Sequence, residues 1–214
     1  MKNERLRALA ECAIFVALAF ALDLVGKFFP SWPNGGSITV AMVPVVYAAY
    51  RHGVKWGLAT GLVFSAIQMM MGFWAPPVTK FYFYLLEILL DYVLAFTLLG
   101  TAPLFARPLF RFSRLLGYGV GAVCVCVIRF LCSFLSGVII WSESYYAGVG
   151  YTMADAFTDG GAWAFSLTYN GGYMLPNAIL TGALIVLLCV AVDPKTLRRM
   201  KKEEKGASAC FIEK

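Results

Sequence analysis

Charged residues are scarce in this sequence. Asp, Glu, Lys and Arg make up only 14% of its 214 residues, whereas hydrophobic residues make up 60% and the mean hydropathy is +0.74. A typical soluble domain carries about 25% charged residues. The shortage of charge therefore excludes a soluble globular domain and predicts a polytopic membrane protein.

Several functional motifs are also missing. The chain has a single histidine, His52, and its six cysteines form no C-x-x-C pair, so we expect neither a metal site nor a cofactor. No G-x-x-x-x-G-K-[ST] phosphate loop occurs, which excludes a P-loop ATPase. The net charge of +6 comes from basic residues that flank the apolar segments, which indicates membrane topology rather than binding to nucleic acid.

What the chain does have is a series of apolar segments joined by short loops. These segments cover residues 6–29, 38–50, 54–74, 81–104, 116–141 and 164–192. About 20 apolar residues are needed to cross the hydrocarbon core, so the second segment is short for a span. We predict a single all-α domain over residues 1–214 with six transmembrane helices and a basic tail at about 193–214.

The distribution of Lys and Arg between alternate loops predicts the orientation. Fifteen of these residues lie on the side that holds both termini, and only Lys27 and Lys80 lie on the other side. The positive-inside rule therefore places both termini in the cytoplasm. The longest external segment, residues 142–163, is acidic and holds no Lys or Arg. It could form a lid over an external pocket.

Two carboxylates, Glu87 and Asp91, lie one helical turn apart in the fourth segment. A carboxylate at bilayer depth costs roughly 2.5–3.5 kcal/mol on insertion scales, so it normally faces a cavity, a partner charge or a ligand. The pair suits a cationic substrate. Arg129, in the fifth segment, is predicted at a depth close to that of Asp91. Asp91 could therefore form a structural ion pair with Arg129 and leave Glu87 to meet the ligand.

Three stretches of sequence carry a family resemblance. They are residues 89–96 (LLDYVLAF), residues 129–137 (RFLCSFLSG) followed by Trp141, and residues 165–176 (FSLTYNGGYMLP). In combination they resemble the thiamine-specific substrate-binding subunits, or S-components, of energy-coupling factor vitamin transporters. The resemblance covers nearly the whole chain and includes the six-span layout.

The resemblance implies a function, a location and a set of partners. Such a subunit lies in the plasma membrane of a prokaryote and captures thiamine from the extracellular side. It then delivers the vitamin through a shared module of one transmembrane coupling subunit and two ATPase subunits. By the same resemblance, Asp91 meets the aminopyrimidine with Tyr92 beside it, Trp141 lies over the thiazolium, and Asn170 contacts the pyrimidine.

The chemistry of these residue types suits thiamine. The vitamin has a permanent positive charge, and a tryptophan face attracts a desolvated cation by about 0.5–2 kcal/mol. The amino group and ring nitrogen of the pyrimidine need an acceptor and a donor, which a carboxylate and an Asn amide can supply.

Two positions depart from the family pattern. Ser133 stands where the family often has His, and Phe165 stands where it often has Tyr. The ligand could therefore be a thiamine precursor or analogue. Other aromatic residues could replace the lost ring and hydroxyl; they are Tyr145, Tyr146, Tyr169 and Trp163. Trp32 is a separate candidate for a ligand contact, because its broken loop is expected to face the external cavity.

Other polar and aromatic residues are expected to have structural roles. We predict His52 in a solvated loop, Asp23 near a helix end, and Trp74 in the interfacial belt that tryptophan commonly forms. Gln68 is expected to bond to a neighbouring helix rather than to enter the pocket.

The first segment carries alanines at every fourth position: Ala13, Ala17 and Ala21. Such a stripe lets another helix approach closely. The resemblance implies that it docks onto the transmembrane coupling subunit, and internal packing against a neighbouring helix is the alternative.

Two other functional classes agree less well with the sequence. A membrane enzyme could use Glu87 and Asp91 as acid and base, but no paired His, metal set or activated nucleophile accompanies them. A proton-driven secondary transporter would normally be larger or show internal repeats. A substrate-binding transporter subunit, not an enzyme, is therefore the prediction.

Overall fold

The computed structural model describes residues 2–28, 36–76, 80–141 and 160–191 of the chain. These ranges fold into six helices: α1 (Lys2–Gly26), α2 (Met42–His52), α3 (Val54–Gly72), α4 (Phe81–Leu109), α5 (Arg114–Trp141) and α6 (Gly160–Ala191). All of them except α2 are long and apolar enough to cross a membrane. The prediction of an all-α membrane protein is confirmed for the described part of the chain.

The sixth helix begins earlier than the sequence predicted. It starts at Gly160, four residues before the expected start, and it includes Trp163. Trp163 is therefore on a helix and not in an external lid, and residues 142–159 of that predicted lid lie outside the described residues. Ala162 is fully buried in this first turn. Packing of this kind can outweigh the cost of about 1 kcal/mol for a glycine in a helix.

The second helix belongs to the core. Its 11 residues rise only about 16 Å, roughly half of the hydrocarbon thickness. Eight of the 11 are buried, and the helix packs on α1, α3 and α6. Because α2 is enclosed by longer helices, its apolar sequence reflects burial in protein.

The fourth helix is irregular and lies very close to α3. It contains a π-helical turn at Ile88–Leu94 and a 3₁₀ turn at Leu98–Thr101. A Cβ added to Gly100 would lie 2.2 Å from the backbone nitrogen of Leu58, and one added to Gly61 would lie 2.4 Å from the Phe96 carbonyl oxygen. The two helices therefore touch through their backbones, which only glycine allows.

A cluster of charged residues joins α1 to the corner between α2 and α3. The Glu11 carboxylate accepts hydrogen bonds from Arg7 at 2.8 Å and from Arg51, and it lies 2.9 Å from Nε2 of His52. The expectation of a solvated His52 is wrong, because its side chain is largely buried against this carboxylate.

Candidate functional site

A cavity of about 220 Å³ lies where α1, α3, α4, α5, α6 and the segment 36–39 meet. Eight of the residues predicted for the site line it: Glu87, Asp91, Tyr92, Arg129, Ser133, Trp141, Tyr169 and Asn170. The charged lining residues that the sequence left out are Asp23 and Lys27, on the last turn of α1 and just beyond it. The cavity thus combines three carboxylates with two basic groups.

The two carboxylates of α4 have different surroundings. Asp91 lies in the π-helical turn, and its Oδ2 accepts a hydrogen bond from the Ser136 hydroxyl of α5. Glu87 ends the α-helical turn just before it and is only 1% exposed. Its Oε2 contacts no hydrogen-bond donor within the described residues. One carboxylate is therefore fixed by the protein, and the other keeps a free acceptor at the cavity wall.

The ion pair that the sequence allowed between Asp91 and Arg129 stays a prediction, although both side chains line the cavity. The Arg129 guanidinium lies 4.2 Å from the ring centre of Phe96, and its Nε and Nη1 have no acceptor in the described part of the chain. Asp91 accepts a hydrogen bond from Ser136, which follows Arg129 by seven residues, or about 10 Å along α5. The depth predicted for Asp91 assumed a regular α-helix, whereas Asp91 lies in a π-helical turn.

The polar groups of α6 form a chain of hydrogen bonds around Asn170. Tyr173 donates to Asn170 Oδ1 at 2.8 Å, and Asn170 Nδ2 donates to the Ser166 carbonyl at 3.1 Å and to Ser166 Oγ at 3.2 Å. The Ser166 hydroxyl donates in turn to the Phe134 carbonyl of α5 at 2.7 Å. This chain fixes the Asn170 amide in one orientation and ties α6 to α5.

Gly137 makes this contact between α5 and α6 possible. A Cβ at this position would lie 2.2 Å from Ser166 Oγ and 2.9 Å from Asn170 Nδ2. Gly137 begins the π-helical turn that ends at Trp141. One turn therefore carries both the glycine that contacts α6 and the tryptophan that is predicted to contact the ligand.

Aromatic rings cover much of the remaining wall. Trp141 and Phe165 line the cavity, and the Tyr169 ring lies 5.7 Å from that of Phe165. Trp163 is not among the lining residues and packs instead on the Phe134 ring at 5.6 Å, so its predicted role at the site is not supported by its position. Trp32, Tyr145 and Tyr146 lie outside the described residues.

Some of the residues that line the cavity were predicted to have structural roles. Trp74 and Gln68, expected in the interfacial belt and at a helix contact, both line the cavity, as does Asp23. Gln68 and Asp23 are polar residues inside apolar segments, a signal of a cavity that could have identified them. Trp74 carried no such signal, because tryptophan near a span end is common for other reasons.

One wall is an extended segment held by a single side chain of α6. The Thr39 backbone N–H donates to Asn177 Oδ1 at 2.8 Å, and Asn177 Nδ2 donates to the Ser37 carbonyl at 2.9 Å. Gly36 adopts a φ of 86° with its backbone against the Tyr173 ring. The fully buried Asn177 therefore satisfies one backbone donor and one backbone acceptor of this segment.

Comparison with known proteins identifies the family. The sequence profile of the thiamine transporter protein family (Thia_YuaJ) matches residues 9–197. The chain belongs to the thiamine transporter family. One relative in this family, the thiamine transporter ThiT of Bacillus subtilis, is 33% identical over 207 residues, which cover 94% of this chain and 98% of that protein.

Two further members agree with this assignment. The thiamine transporter ThiT of Lacticaseibacillus paracasei is 25% identical over 199 residues, covering 89% of this chain and 90% of that protein. The structure of ThiT from Listeria monocytogenes matches with a TM-score of 0.66 at 23% identity, over 91% of this chain and 98% of that one. The match to the solved structure shows a shared fold, and the two relatives compared by sequence are both named thiamine transporters.

Proposed function

We propose that this protein is the thiamine-binding S-component of an energy-coupling factor importer. It captures thiamine, or a precursor or analogue, from the extracellular side of a prokaryotic plasma membrane. The observation that carries the proposal is the convergence of Asp91, Glu87, Trp141 and Asn170 on one cavity. Membership of the thiamine transporter family supports the same ligand class.

The chemistry of the cavity fits a small aromatic cation. Its volume of about 220 Å³ is below the range of about 300–1,000 Å³ common for drug-sized ligands. Its three carboxylates and the Trp141 ring suit the thiazolium charge, and the free Glu87 oxygen offers an acceptor. The remaining donors of Arg129 suit a ligand acceptor such as a pyrimidine nitrogen or a hydroxyl.

The departures from the family pattern bear on ligand identity. Ser133 and Phe165 both line the cavity, so the ring and hydroxyl that the family often has at these positions are missing from the wall itself. Tyr169 and Tyr173 add hydroxyl-bearing rings nearby. Thiamine remains the proposed ligand, and a precursor or analogue is the alternative that these two departures suggest.

The proposal includes a topology and a set of partners. Both termini lie in the cytoplasm of a single-domain subunit with six membrane-embedded helices, as the excess of basic residues on that side predicts. Ala13, Ala17 and Ala21 are all exposed on α1, so the alternative of internal packing is not supported within the described chain. They form the proposed docking stripe for the coupling subunit, which works with two ATPase subunits.

Ligand titration of the purified protein tests the proposal. Thiamine, its pyrimidine half and its thiazole half are added separately while tryptophan fluorescence is followed. We expect tight binding and quenching with thiamine or a close relative, without turnover and without a proton gradient. Product formation would support an enzyme instead.

Two variants test the assigned site. We expect Asp91→Asn and Trp141→Ala each to weaken binding, because one removes the anion at the pyrimidine position and the other removes the ring over the thiazolium. If the titrations of both variants matched that of the wild type, the site assignment would be wrong.

A further inference from the structure

The turn that follows α3 is bound to α4 through one hydroxyl group. The Tyr92 hydroxyl accepts a hydrogen bond from the Trp74 backbone N–H at 3.1 Å and donates to the Gly72 carbonyl at 3.2 Å. A phenol has a single donor, and here Gly72 takes it. The hydroxyl of Tyr92 is therefore used to hold the protein backbone.

The position of the turn depends on this contact. α3 ends at Gly72, and Phe73 is extended with φ −68° and ψ 118°. The backbone groups at such a helix end have no helical partners and need others. The Phe73 ring also lies 5.6 Å from the Tyr92 ring. Tyr92 thus determines where the chain leaves α3.

The side chain that this turn carries into the cavity wall is Trp74. Trp74 is 51% exposed, so the protein covers only half of its surface and leaves the rest available. Trp141 reaches the same cavity from α5. The site therefore has two tryptophans from different helices, and the backbone of one of them is set by Tyr92.

We infer that the Trp74 ring is the part of the cavity wall that determines specificity for the cationic ligand, and that Tyr92 is a positioning residue that acts through Trp74. This inference rests on the proposed function for the charge of the ligand. It differs from the role implied by the family resemblance, in which Tyr92 itself contacts the ligand beside Asp91. The two roles predict different behaviour when both residues are changed.

A double-mutant cycle in the full-length protein separates these roles. Trp74→Leu keeps apolar bulk but removes the π face, and we expect it to weaken thiamine binding about 2- to 30-fold. Tyr92→Phe should weaken binding about 2- to 10-fold. In the Trp74→Leu background the same Tyr92→Phe change should alter the Kd by less than about twofold, because the side chain that it positions is gone.

Tyr50→Phe is the matched control. The buried Tyr50 hydroxyl also donates to a backbone carbonyl, that of Tyr118 at 3.0 Å, but Tyr50 does not line the cavity. Both variants lose one buried tyrosine hydroxyl. Tyr50→Phe should lower stability without changing the Kd for thiamine.

A spectroscopic measurement needs no ligand. In protein labelled with 5-fluorotryptophan, each of the five tryptophans contributes one ¹⁹F resonance, and that of Trp74 is identified by its loss in Trp74→Leu. Tyr92→Phe should shift the Trp74 resonance, whereas Tyr50→Phe should not. A Trp74 resonance unchanged in Tyr92→Phe would overturn the positioning role.

The outcomes also separate this inference from the proposed function. If the wild type bound thiamine but Tyr92→Phe weakened binding equally with and without Trp74, Tyr92 would contact the ligand directly and the inference would be wrong. If the wild type bound no thiamine, the proposed function would fail. The Trp74 resonance would then still decide whether Tyr92 positions this side chain.

Discussion

Glu87 and Asp91 lie one turn apart on α4, yet only Asp91 is held by the protein. Asp91 accepts a hydrogen bond from Ser136, whereas Glu87 is buried with Oε2 facing no donor in the described ranges. A buried carboxylate without a partner costs free energy. A ligand that brings a cation or a donor reduces this cost. We therefore expect Glu87 to strengthen ligand binding and to lower the stability of the ligand-free protein.

Glu87→Gln is expected to have opposite effects on affinity and stability. Loss of the charge should weaken thiamine binding about 5- to 30-fold, because the amide that replaces the carboxylate keeps an acceptor oxygen but carries no charge opposite the cation. The ligand-free protein should become about 1 kcal/mol more stable, because an unpaired buried charge is removed. Titration and thermal unfolding of the same preparations measure the two effects.

The uncharged pyrimidine half of thiamine is the control ligand for Glu87→Gln. Its affinity should change little, because it lacks the thiazolium cation. An equal loss of affinity for both ligands would mean that Glu87 shapes the cavity instead of recognising charge.

Ser136→Ala tests the fixed carboxylate. Removing this hydroxyl takes away one hydrogen bond of Asp91, which should destabilise the protein by roughly 1–2 kcal/mol and weaken thiamine binding about 3- to 10-fold. Ser65→Ala is the matched control, since Ser65 is also buried and, like Ser136, does not line the cavity, whereas it is Ser136 that donates to Asp91. Similar losses of affinity in both variants would point to a general packing effect.

The π-helical turns are the most informative elements in this fold. One carries Asp91 on α4, and the other runs from Gly137 to Trp141 on α5. Such turns insert an extra residue into the helical repeat and often occur at functional sites. Each changes which side chains of its helix face the cavity, so the site is built where the regular repeat is interrupted.

Gly137→Ala should separate α5 from α6 at the site. The added methyl group would overlap Ser166 Oγ, at 2.2 Å, so α6 must shift and the hydrogen bonds around Asn170 must change. We expect a loss of about 1–3 kcal/mol in stability, typical of overpacking, together with weaker thiamine binding. Thermal unfolding and titration measure both.

Gly171→Ala on α6 is the control for this substitution. A Cβ at Gly171 would meet no atom within 4 Å, although its neighbour Asn170 lines the cavity. Alanine should therefore be neutral there, or stabilise the helix by up to about 1 kcal/mol. Comparable damage from both substitutions would contradict the importance of the close contact at Gly137.

At the scale of the whole molecule, α1 takes part in two surfaces. Asp23 at its end lines the cavity, whereas Ala13, Ala17 and Ala21 are exposed along its length. Small residues on a lipid-facing helix permit close approach of another helix. The proposed coupling partner would then contact a helix that also forms part of the ligand site.

Ala17→Trp should abolish thiamine uptake by cells that supply the energising module. A large ring prevents close helix approach, but the position is remote from the cavity lining, so the Kd of the purified protein should stay within about twofold of the wild type. Leu18→Trp is the control, because Leu18 is exposed on a different side of α1 and should tolerate the ring. Loss of both uptake and binding in Ala17→Trp would indicate internal damage.

The sequence was sufficient for features that depend on composition and length. Apolar runs of about 20 residues predicted the long helices closely, and the intramembrane polar residues and their aromatic neighbours predicted eight of the residues that line the cavity. It was insufficient where helices depart from regularity. Nothing in residues 88–94 identifies a π-helical turn, so the hydrogen bond from Ser136 to Asp91 was not predicted, and Trp74 was indistinguishable from an interfacial anchor.

Asn177 has one further consequence. It gives the segment 37–39 two hydrogen bonds to α6, next to the contact of Gly36 with the Tyr173 ring. These two bonds are worth about 1–3 kcal/mol in total, far less than the packing between any two of the long helices. If this wall of the cavity opens, the detachment of these few residues therefore costs less than a movement of the helices around them.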